Sequence, residues 1–206
     1  MKILIAVPTF ENIYPDTFKS IYGLDGGEHD LMFDFIRGYD VATARNKIAK
    51  KALEYDVDYV LMVDNDVVLP EKALDYLLDD PKQVCLGYYA HREPDNIYKG
   101  RMCICKFGWW SYPAESEYTA QELLELRNAG NYKVEIRGGG AGCAFISTGV
   151  FRQLEYPYYK WVDNGDGTFL SEDLYFCEQC RAKKIPVYTD TRLGCGHILR
   201  HIQWPV

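Results

Sequence analysis

"DYVLMVDNDVVLP", residues 58–70, is an apolar run interrupted by Asp64, Asn65 and Asp66. Uncompensated charge is costly in an interior, so "DYVLMVD" (58–64) is expected to be a buried strand that delivers two carboxylates to a ligand edge. Upstream, "VATARNKIAKKALEY" (41–55) places Val41, Ala44, Ile48, Ala52 and Tyr55 at three- and four-residue steps, with lysines on the other face. That spacing predicts an amphipathic helix. Downstream, "PEKALDYLLDD" (70–80) predicts a helix with Pro70 near its first turn and an end before Pro81. The chain opens with "KILIAV" (2–7), a short β-branched run closed by Pro8. Strand, helix, strand, helix implies an α/β fold, a mainly parallel sheet flanked by helices in three layers. Ligands of such sheets sit beyond the carboxyl ends of the strands, where "PTFEN" (8–12) and "DND" (64–66) both lie.

Further along, "QVCLGYYAHR" (83–92) and "RMCICKF" (101–107) read as strands, and "TAQELLELRNAG" (119–130) as a helix stopped by Gly130. A helix over 171–184 and a strand over 185–190 follow. Loops rich in aromatic residues and glycine, "GWWSYP" (108–113) and "RGGGAGCAFIS" (137–147), lie between them. With 206 residues, one domain over 1–206 is expected, residues 1–90 forming a nucleotide-binding half and 91–206 an acceptor- and sugar-binding half.

A net charge of -7 argues against nucleic acid as a partner but is compatible with a small phosphorylated ligand beside a metal ion. The seven cysteines, an odd number, suit reduced thiols and a cytoplasmic setting. The apolar start, Ile3 to Pro8, is too short for a secretory signal or a membrane span.

Two carboxylates at i and i+2 offer hard oxygen ligands for Mg²⁺ or Mn²⁺, although an Asp/Asn turn after a strand has the same composition. The order of motifs adds to this: "VPTF" (7–10), "ARN" (44–46), "DND", "GGGAGCAFISTGVF" (138–151), "SEDLYFCEQCRAKKIPVYTD" (171–190) and a late His197. Together they resemble the family 2-like glycosyltransferases of the GT-A fold. The resemblance implies a nucleoside diphosphate sugar donor, a UDP- or GDP-sugar, and a glycan or other hydroxyl acceptor. By the same resemblance Asp66 coordinates the cation, Asp64 assists at the metal or holds the donor's ribose, and His197 completes the metal site. Pro8, Thr9, Glu11, Arg45 and Asn65 contact the donor, Arg45 near its diphosphate. Asp173, with Glu172 beside it, is the general base of an inverting transfer, with retention left open because some related enzymes keep a similar layout without such a base. The glycines of 138–142 line the donor sugar pocket, and Trp109, Trp110 and Trp161 are an acceptor platform or core residues. The match is loosest at "DLMFDFIRGYD" (30–40), where the family has a strand ending in acidic residues, which leaves the base open.

Simpler readings exist for several of these residues. Ser171 caps a helix whose first turn welcomes Glu172 and Asp173. Arg45 is a solvated helix residue, and His197, like His29, His91 and His201, is a surface or packed histidine. Three other functions remain open. Cys177, Cys180, Cys195 and His197 have a spacing that a structural zinc could use. A sugar nucleotidyltransferase shares the fold type but carries a glycine-rich, basic loop after its first strand, which "PTFENIYP" is not. A catalytically silent sugar-binding module would need neither metal nor base.

Overall fold

The computed structural model describes residues 1–91, 100–108 and 112–198. In chain order the elements are β1 (Lys2–Thr9), α1 (Pro15–Tyr22), β2 (Asp30–Arg37), α2 (Val41–Glu54), β3 (Tyr59–Val63), β4 (Val67–Val68), α3 (Ala73–Asp79) and β5 (Val84–Tyr88). They continue as β6 (Arg101–Cys105), β7 (Glu117–Thr119), α4 (Ala120–Asn128), β8 (Lys133–Ile136), β9 (Gly138–Gly139), β10 (Cys143–Ser147) and α5 (Thr148–Phe151). The last are β11 (Val162–Asp163), β12 (Phe169–Leu170), α6 (Glu172–Ala182), β13 (Val187–Gly194) and β14 (Gly196–His197).

Seven strands form the central sheet in the order β2-β1-β3-β10-β5-β13-β8. Alternation of side chains explains why β1 and β3 read as unbroken apolar runs. Leu4, Ala6, Val60 and Met62 join a core on one face of the sheet, and Ile3, Ile5, Val7, Leu61 and Val63 join a second core on the other. β1 pairs in parallel with β2 and β3, and β13 pairs in parallel with β5. β10 is antiparallel to both β3 and β5, and β8 is antiparallel to β13. Five of the seven strands therefore run one way, and the reversed β10 lies in the middle. The reversal brings the loop before β10, rather than its far end, to the edge where β1, β3 and β5 finish.

Helix boundaries follow local chemistry. Asp40 caps α2 by accepting the Thr43 amide at 3.1 Å, and Thr119 and Glu122 form a capping box at α4. α1 begins on a proline and was not anticipated. A small ribbon outside the main sheet pairs β14 with β4, setting His197 opposite Val67. Among the described residues, no helix is long and apolar enough to cross a membrane.

The four residues of the zinc spacing do not converge. Cys177 and Cys180 are buried in the first core and Cys195 packs against the second, on the other face of the sheet. Burial pushes the Cys180 thiol up to about 12 and Cys177 well above its usual value, which keeps both protonated and poor as ligands.

Candidate active site

The site grows from the turn after β3. The Asp64 amide donates to the Gly142 carbonyl at 2.8 Å, and Val67 N–H closes back on the Asp64 carbonyl at 3.1 Å. Asn65 reaches sideways: its side-chain amide donates to the Asn12 carbonyl at 2.7 Å, and its own carbonyl accepts the Tyr14 amide at 3.0 Å. The Thr9 hydroxyl donates to the same Asn12 carbonyl at 2.6 Å. The "DND" turn is thereby fastened to the loop after β1. A cavity of 580 Å³ opens beside it, lined by Phe10, Glu11, Asn12, Ile13, Tyr14, Pro15 and Asn65. Glu11 and Asn65 thus face open space, whereas Pro8 and Thr9 are buried in the strand behind.

Arg45 is not a solvated helix residue. Its side chain is 3% exposed; one guanidinium nitrogen donates to both Asp64 oxygens at 2.8 and 3.0 Å, and the other to Glu172 at 2.5 Å. Burial works against its charge, but the carboxylates of Asp64 and Glu172 outweigh it and hold the guanidinium above its usual range. The ring of Tyr159 lies 5.9 Å from it and stacks on Phe176. Asn46, next in "ARN", accepts the Tyr158 and Tyr159 amides and donates to the Tyr159 carbonyl. Arg45 gives both terminal guanidinium nitrogens to carboxylates of its own chain, and Glu172 is turned inward to meet it, buried, with its carboxyl pushed up by burial and pulled down by Arg45.

Asp66 and His197 form the second pair. The β14–β4 pairing and an Ile198 N–H···O=C bond of 2.9 Å to Asp66 bring His197 Nε2 to 3.8 Å from Asp66 Oδ2. His197 Nδ1 is 2.8 Å from the Ala90 carbonyl, an acceptor only, so Nδ1 carries a proton, and in the neutral ring the lone pair is on Nε2, the nitrogen that faces the carboxylate. A hard carboxylate and a tautomer-fixed imidazole suit a divalent cation. Among the described residues no group of three His, Cys, Asp or Glu side chains gathers as a cation cage, and Asp64, engaged by Arg45, is not a third member of the pair.

Asp173 is half-buried in the first turn of α6. Ser171 is the N-cap residue but caps no amide with its side chain; its hydroxyl donates to Asp173 Oδ1, which also accepts the Leu174 amide at 2.8 Å. Both of these hydrogen bonds fall on Oδ1, and among the described residues none is made to Oδ2.

The glycines of the 138–142 loop serve the protein's own packing. A Cβ at Gly140 or Gly142 would lie 2.3 or 2.7 Å from the Tyr89 hydroxyl, at Gly138 2.9 Å from Cys177, and at Gly139 2.7 Å from the Cys103 carbonyl. The room left by these absent side chains is taken up by Tyr89, Cys177 and Cys103. Tyr89, Ala90 and Tyr159 were not singled out from the sequence, and no local pattern marks them. Trp161 is 55% exposed at the surface; Trp109, Trp110 and His201 lie outside the described residues.

No protein-family model and no curated protein matches the sequence. Solved structures match in three dimensions. A197 from STIV superposes with a TM-score of 0.64 at 19% identity, covering 97% of this chain and 87% of that one. GalNAc-T7, solved with UDP, GalNAc and Mn²⁺, superposes with a TM-score of 0.61 at 13% identity, covering 98% of this chain and 44% of that one. The central mixed sheet, its flanking helices and these superpositions together make the fold that of the GT-A glycosyltransferases.

Proposed function

We propose that this chain is a metal-dependent glycosyltransferase that moves a sugar from a nucleoside diphosphate donor, a UDP- or GDP-sugar, to a hydroxyl of a glycan or other acceptor. The observation that carries the proposal is the Asp66–His197 pair, a carboxylate and an imidazole lone pair 3.8 Å apart at the carboxyl edge of a GT-A sheet. The structural likeness to GalNAc-T7, crystallised with UDP, GalNAc and Mn²⁺, supports the donor class and the cation.

Asp66 and His197 would hold Mn²⁺ or Mg²⁺, which when bound supplies positive charge against a leaving diphosphate. The 580 Å³ cavity beside Asn65 and Glu11 is where the nucleoside would lie. Arg45 and Glu172 act indirectly, by anchoring Asp64 and the start of α6 on one buried guanidinium. Asp173 takes the acceptor's proton on Oδ2 while Ser171 and the Leu174 amide steady Oδ1. A base on the acceptor side implies direct displacement with inversion. Inversion is tested by NMR of the product's anomeric centre; a retained configuration removes Asp173 from the base role. The donor is tested by thermal-shift screening of UDP- and GDP-sugars with and without Mn²⁺, where a cation-dependent rise in Tm is expected for the true donor.

A further inference from the structure

Tyr89 stands where the parts of the site meet. It follows β5, is 8% exposed, and its hydroxyl accepts the Gly142 amide at 2.9 Å. The carbonyl of that same Gly142 takes the Asp64 amide at 2.8 Å. The Tyr89 ring packs edge-on against the His197 imidazole, with centroids 5.2 Å apart and planes at 70°. The next carbonyl, Ala90, accepts His197 Nδ1–H at 2.8 Å. The dipeptide therefore touches His197 twice and reaches Asp64 through one glycine.

From this geometry we infer that Tyr89 is a positioning residue of the cation site: its ring sets the plane of His197, and its hydroxyl holds the glycine loop under Asp64. The ring's role rests on the proposal that Asp66 and His197 bind a cation; the hydroxyl's role rests on its hydrogen bond from Gly142 and its packing against the glycine loop. A single hydrogen bond at Nδ1 leaves an imidazole free to swing about that bond. A ring wall removes the freedom and keeps Nε2 directed at Asp66. Groups that orient a metal ligand in this way commonly change metal affinity by about 10–100-fold when removed.

The glycine pattern belongs to the same arrangement. At Gly140 the atom nearest to an added Cβ is the Tyr89 hydroxyl oxygen at 2.3 Å, with ring carbon Cζ next at 3.2 Å. At Gly142 the oxygen is at 2.7 Å but Cζ is already at 2.8 Å. Deleting the oxygen should relieve the first clash and not the second.

Two experiments separate ring from hydroxyl. Mn²⁺ is titrated into the wild type, Tyr89→Phe and Tyr89→Leu, with free Mn²⁺ read by electron paramagnetic resonance at a temperature where circular dichroism shows each folded. The Phe variant should bind within about two-fold of the wild type, and the Leu variant about ten-fold or more weakly. A Leu variant with wild-type affinity overturns the ring's role. In parallel, Tm is measured for Gly140→Ala and Gly142→Ala, each with and without Tyr89→Phe. Part of the Gly140→Ala loss should be recovered and none of the Gly142→Ala loss; an unrecovered Gly140→Ala overturns the hydroxyl's role. A wild type that binds no Mn²⁺ overturns the cation site and the ring's role together, and the glycine pairs still decide the hydroxyl.

Discussion

Two buried ion clusters use the same groups to opposite ends. At the carboxyl edge, one guanidinium, Arg45, faces two carboxylates, Asp64 and Glu172. Near the far edge of the sheet, one fully buried carboxylate, Asp190, faces Lys133 at 2.9 Å and Arg192 at 2.6 Å. Arg192 also meets Asp79 at 2.6 Å and lies over the rings of Tyr76 and Tyr132. Lys133, Arg192, Asp190 and Asp79 sum to zero formal charge, whereas Arg45, Asp64 and Glu172 sum to minus one beside Asp66 and Asp173. A cluster whose charges cancel is a staple between strands. The cluster at the carboxyl edge keeps one unit of negative charge, as counted from its formal charges.

Substitutions can break or sharpen that contrast. The largest effect is expected at Asp173→Asn, which should lower turnover by about 10²–10⁴-fold at near-unchanged Tm; activity above a tenth of wild type would remove the base. Arg45→Met leaves the buried Glu172 carboxyl and the part-buried Asp64 without their cation and should cost about 3 kcal/mol in urea unfolding. A loss below about 1 kcal/mol would mean that the edge is held by something else. Asp190→Asn strands the buried Lys133 and should cost about 3 kcal/mol, yet leave Mn²⁺ binding unchanged, because its cluster is closed.

The same residue gives a pH test. Burial works to raise the Asp190 carboxyl, but hydrogen bonds from Arg192 and Lys133 outweigh it and lower it below its ordinary 3.8. Its stabilisation is therefore fully present above pH 3.8 and lost as pH falls below that value. The stability gap between wild type and Asp190→Asn should narrow only on that acid side. The smallest effect belongs to the exposed pair Arg152–Asp56, where Arg152→Ala should change stability by less than about 0.5 kcal/mol.

Much of the frame was legible because it is written in local periodicity. β1, β3, α2 and α6 carry either unbroken apolar runs or helical spacing, and "DND" was placed at the strand end where it is found. What was not legible depends on partners distant in sequence. The direction of β10 is set by its neighbours β3 and β5, and the glycines before it hide the strand. Arg45 reads as solvated until Glu172, 127 positions away, is brought to it. Ser171 reads as a helix cap until its hydroxyl is seen on Asp173. Glycines 140 and 142 read as room for a ligand until Tyr89 is found in the room. Folding created each of these relations, and residue type alone does not encode them.

The central claim, a cation-dependent donor site at Asp66 and His197, is tested most directly by calorimetry. UDP and GDP are titrated into the wild type and Asp66→Ala, each with and without Mn²⁺. One nucleotide should bind the wild type only with Mn²⁺, and Asp66→Ala should lose that binding while keeping its fold. An Asp66→Ala protein that binds the nucleotide with wild-type affinity and wild-type Mn²⁺ dependence would contradict it.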